Sequence, residues 1–67
     1  MNNLRQDAIS TINDSLVSMV TIGVITPHEH IQRIDRANAL PMRDLLVTMN
    51  KTYDESMAYV WDYNVAS

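Results

Sequence analysis

The sequence predicts an all-α fold, a single small three-helix domain over residues 1–67 that pairs as a homodimeric helical bundle. Three observations predict the helices. Apolar residues recur every three or four positions through most of the chain, the spacing that lines one side of an α-helix. Punctuation is limited to one glycine and two prolines, and Gly23, Pro27 and Pro41 each stand where a helix would stop or start. At 46 % hydrophobic and 19 % charged residues, the chain is too apolar to stay disordered.

The first helix is expected over about residues 3–22. Leu4, Ala8, Ile12, Leu16 and Met19 share one side of it, widened by Ile9 and Val20. Asn2 or Asn3 can cap its start by accepting from free backbone N–H groups. Gly23 stands where a left-handed residue often ends a helix, with Val24 placed for the accompanying apolar contact. Residues 19–25 are rich in β-branched side chains, which also suits a short strand. No other run could pair with such a strand, so the helix reading is preferred.

The second helix, 27–38, has the clearest start in the chain. Thr26-Pro27-His28-Glu29 is a capping box with proline at the first helical position. Ile31, Ile34 and Ala37 are expected to face inward. The third helix, 41–64, opens at Pro41. Met42, Leu46, Met49, Tyr53, Met57 and Val60 form its apolar stripe, at spacings of 4, 3, 4, 4 and 3.

Size points to the dimer. A chain of this length buries only about 60 % of its unfolded surface, so its core needs a supplement. Cysteine is absent, which removes disulfides and cysteine-bound zinc. Helix packing, aided by a second copy, remains.

Function is narrowed mainly by exclusion. A net charge of −3 does not suit a phosphate backbone, so nucleic acid is an unexpected partner. A helix-turn-helix is the runner-up reading: Arg43, Val47, Thr48, Asn50 and Lys51 would face a groove, with Arg33 and Arg36 on phosphates. Against it, Glu29, Asp35 and Asp44 nearly cancel the local positive charge, and the turn at Asn38-Ala39-Leu40 lacks its usual glycine. A structural or scaffolding subunit is the third reading.

The most apolar segment, residues 16–25, is short of the roughly 18 residues a membrane span needs. The first residues carry no basic-then-apolar signal, so a cytoplasmic protein is expected. Asn13-Asp14-Ser15 and Asn50-Lys51-Thr52 fit the glycosylation pattern but carry no weight without secretion. His28 and His30 are two apart on a helix and diverge, whereas helical metal ligands sit three or four apart. No metal or other cofactor is expected. The serines lack a base and oxyanion donors, and Asp54 and Glu55 are adjacent and splayed, so an enzyme is not expected.

The positive signal is at the far end. Tyr53, Tyr59, Trp61 and Tyr63 are all the aromatics of the chain, and they fall within eleven residues. On a helical wheel, Tyr59 and Tyr63 continue the side of Leu45, while Trp61 points away with Val47 and Val65 further round. A helix apolar on most of its circumference is normally covered by something. The expectation is a protein–protein interaction module: an inhibitor, adaptor or accessory regulator that binds a protein partner, itself, or both. Leu45, Tyr59, Trp61 and Tyr63 would anchor the contact, and Arg33, Arg36 and Arg43 would orient it.

Overall fold

The computed structural model describes residues 3–66, Ala66 by its backbone alone. Among these it has α1 (Leu4–Thr21), α2 (Pro27–Asn38) and α3 (Met42–Ala66), and no strand. The expected boundaries hold to within two residues.

Local chemistry explains each boundary. Asn3 caps α1, its Oδ1 accepting from the N–H of Gln6 at 3.0 Å. The other capping candidate, Asn2, lies outside the described residues. At the far end Gly23 takes φ +83°. Its N–H donates to Val20 O at 3.0 Å, and that of Val24 to Met19 O at 3.0 Å. These are the paired bonds of a Schellman motif. The β-branched run is therefore a helix end followed by a turn. The capping box forms as expected: Thr26 Oγ1 accepts from Glu29 N–H at 3.1 Å, and Thr26 N–H donates to Glu29 Oε1 at 3.4 Å. α2 ends with help from a distant residue. The Arg5 guanidinium donates to the carbonyl of Asn38, at the end of α2, and to that of Leu40 in the corner beyond it, both at 2.7 Å.

That clamp also sets the topology. It places the start of α1 beside the α2–α3 corner, so α2 runs antiparallel to α1 and α3 runs along α1 in the same direction. Consistent with this, Thr11, Ser15 and Ser18 share a groove with Tyr53, Ser56 and Met57. A second tie joins α1 to α2, His30 Nε2 lying 2.7 Å from Asn13 Oδ1. α1 is the central helix and packs on both others, while α2 and α3 barely touch. The core is Ala8, Ile12, Leu16 and Met19 of α1, with Ile25, Ala37 and Leu45.

Three expectations about facing need correction. Leu4 is 64 % exposed, because at the first turn of α1 nothing lies over it. Ile31 is 60 % exposed, since His30 occupies the inward position of that turn of α2. The largest correction concerns α3. Its buried line is Leu45, Thr52 and Ser56, rotated by roughly 70° from the apolar stripe at about 100° per residue. Tyr53 and Met57, expected inside, are 52 % and 46 % exposed. Ser15 of α1 is buried as well. Short side chains at the middle of this contact let two helices approach closely, and Ser56 Oγ remains satisfied by donating to Tyr53 O at 2.9 Å. Among the described residues, no buried side-chain nitrogen or oxygen lacks a partner.

Candidate interaction surface

α3 outruns the rest of the molecule. Its 25 residues span about 38 Å, against about 27 Å for the 18 of α1. The molecule is accordingly elongated, at 41 × 21 × 20 Å. Its radius of gyration, 12.3 Å, exceeds the roughly 11 Å of a compact domain of this length. The accessible surface, 4867 Å², exceeds the about 4,300 Å² expected of a compact monomer of 7.7 kDa. Most of the exposed large apolar residues sit on α3: Val47, Tyr53, Met57, Tyr59, Trp61, Tyr63 and Val65.

Two apolar features meet on that helix. The first is an outward ridge at four-residue spacing: Tyr53, Met57, Trp61 and Val65, of which Trp61 is 69 % exposed. Val47 lies on the same flank and is also exposed. The second is the inward face where it leaves the body. Eighteen residues make five full turns, so Tyr63 projects in the direction of Leu45. Beside Leu45 lies α1, but the stretch around Tyr63 lies past the end of α1, and Tyr63 is 55 % exposed.

The anticipated site residues are thus partly regrouped. Tyr59, Trp61 and Tyr63 are all exposed, in the last turns of α3. Leu45 is a correction: it is completely buried against α1 and has no surface to offer a partner. Arg33 is already engaged. Its guanidinium donates to both carboxylate oxygens of Glu55, at 2.6 and 3.2 Å, tying α2 to α3 across their otherwise open contact. The bond to Glu55 raises the Arg33 pKa above its ordinary value, with burial opposing. Arg36 is exposed and lines, with Arg33, a groove of about 290 Å³ floored by Ile12, Ala37 and Leu40. Arg43 is exposed on the outward flank of α3 and does not line that groove. The three arginines are not one patch.

Apolar periodicity alone assigns Tyr53 and Met57 to the core and so conceals the outward ridge as a surface. A signal for it was present. Met42, Leu45, Met49, Thr52, Ser56, Tyr59 and Tyr63 alternate three and four apart without a break, the pattern of a helix seam. Counting apolar residues alone passes over that line, since two of its members are hydroxylic.

Other chemistry is sparse. The groove that gathers hydroxyls beside Asp14 holds Thr11, Ser18 and Ser56, each of which donates to a backbone carbonyl. Neither histidine lines it. Among the described residues no cluster of three or more His, Asp or Glu could hold a metal, and no helix is long and apolar enough to cross a membrane. Comparison with family profiles, with curated proteins and with solved structures finds no match.

Proposed function

We propose that this chain is a helical protein–protein interaction module, an inhibitor, adaptor or accessory regulator, and that α3 is the element it docks with. One observation carries the reading: α3 buries Thr52 and Ser56 at 3 % and 4 % exposure while Tyr53, Met57, Trp61 and Val65 stand in water. Apolar residues scattered over a surface need no explanation, but a contiguous ridge on a helix that buries its hydroxyls does. The residue types agree, since tyrosine, tryptophan and methionine are enriched at protein interfaces. The reading assigns the chain no reaction and no cofactor.

The test compares the tagged wild type with the double variant Met57→Asp/Trp61→Asp, expressed side by side and sized by gel filtration under native conditions. The wild type is expected in a species heavier than one chain, and the variant at the mass of one chain with an unchanged far-UV circular dichroism spectrum. Equal apparent masses for the two would overturn the proposal.

A further inference from the structure

Resting on that reading, we infer that the occupant of the α3 face is a second copy of this chain, its α3 laid antiparallel on the first. The charge order along the outward flank carries this. Arg43 and Lys51 stand in the first half of the flank, Asp54 and Asp62 in the second, all four exposed. None takes part in an ion pair within the chain, where Arg33–Glu55 is the salt bridge found among the described residues. A parallel pair would set Lys51 against Lys51 and Asp54 against Asp54. An antiparallel pair does the opposite. A single two-fold axis passing between Thr52 and Tyr53 brings Arg43 opposite the second copy's Asp62, and Lys51 opposite its Asp54. Two pairs of different spacing share one midpoint, so one register satisfies both.

The apolar residues fit the same register. Val47 falls opposite Ala58 of the other copy and next to its Met57. Trp61 falls opposite Asp44 of the other copy and next to its Arg43, whose guanidinium an aromatic face can take. Asp44, the other acid on this flank, lies in the first turn of α3, where the helix dipole favours negative charge. The two helices overlap over residues 43–62, about 30 Å at 1.5 Å per residue. The contact is isologous, each copy giving and receiving the same residues, and it closes at two without leaving an edge for a third. The chain's net charge of −3 opposes association, but Arg43 and Lys51 offset Asp54 and Asp62 where the copies meet, and with Asp44 the flank carries only −1 per copy.

The register can be read directly because the chain has no cysteine. Val47→Cys and Ala58→Cys proteins, mixed and mildly oxidised, are expected to cross-link to each other at least about ten times more than either does alone. Efficient cross-linking of Val47→Cys to itself would overturn the antiparallel register. Sedimentation should show Lys51→Glu weakening the dimer about ten-fold and Lys51→Glu/Asp54→Lys restoring it to within about three-fold of wild type, as expected of exchanged charge partners. Failure of the double exchange to restore would also overturn the register. A wild type that stays monomeric at every concentration overturns the second copy. The docking proposal then stands if Met57→Asp/Trp61→Asp still shrinks the native species. A dimer indifferent to that double variant overturns both.

Discussion

Leu45 and Tyr63 lie on the same side of the same helix, five turns apart, and meet different fates. Leu45 is 0 % exposed and Tyr63 is 55 % exposed. Their own helix treats them alike. The difference lies across from them: α1 covers the first and ends at Thr21, before it can cover the second. Periodicity says which residues share a direction, and the length of the neighbouring helix says which of them are sheltered.

The comparison breaks most sharply at Leu45. Leu45→Ala should cost about 2–5 kcal/mol, the range for a buried leucine whose site cannot collapse. That is a large share of the stability available to a domain this small, so much of the variant should be unfolded. Tyr63→Ala, measured in dilute solution, should change stability by no more than about 0.5 kcal/mol. Urea unfolding followed by far-UV circular dichroism checks both. If the two losses are comparable, the overhanging face is covered within the chain, and the contrast between the two ends is false.

A smaller effect is expected where α1 stops. Gly23 has φ +83° and nothing within 4 Å of where a Cβ would sit, so substitution there meets strain but no clash. Gly23→Ala should cost about 1–2 kcal/mol, the penalty an L-residue meets in the left-handed region. Thermal unfolding would show it as a fall of several degrees. A neutral result would mean that the turn after α1 relaxes freely, and that the length of α1 is not held where this corner holds it.

Much of this architecture was legible in the sequence because its signals are local. The capping box at Thr26–Glu29 and the glycine after α1 involve residues within four or five positions of each other, and both formed as read. The inward line of α1 was legible for a different reason: its most apolar side is also the side its neighbours cover. α3 broke that rule. Its most apolar stripe and its covered line differ because α1 meets α3 through short residues, Ser15 among them, and no count along α3 reveals what lies opposite. Leu45 was misjudged for the same reason. Tyr59, Trp61 and Tyr63 are exposed as their spread around the helix implies, since α1 and α2 cover only one side of α3. Arg5 and Arg33 act through partners 33 and 22 residues away, beyond the reach of a motif.

The smallest expected effect tests the boundary between the covered and uncovered parts of α3. Glu55 stands between Leu45 and Tyr63 and is bound in bidentate fashion by Arg33. Both side chains are close to a third exposed, at 29 % and 36 %, so water screens much of the attraction. A double-mutant cycle with Arg33→Ala and Glu55→Ala should return a coupling of about 0.5–1 kcal/mol, reduced in high salt. The pair matters more for position than for energy. α2 and α3 share little packing, so this pair is the tie between them, while α1 holds α3 through Leu45, Thr52 and Ser56. Hydrogen exchange should therefore rise in Arg33→Ala selectively from Glu55 onward, while α1 and the first turns of α3 keep their protection. Uniform loss of protection along α3 would instead make the pair a contributor to the core as a whole, and the division of the helix into two regions would lose its physical basis.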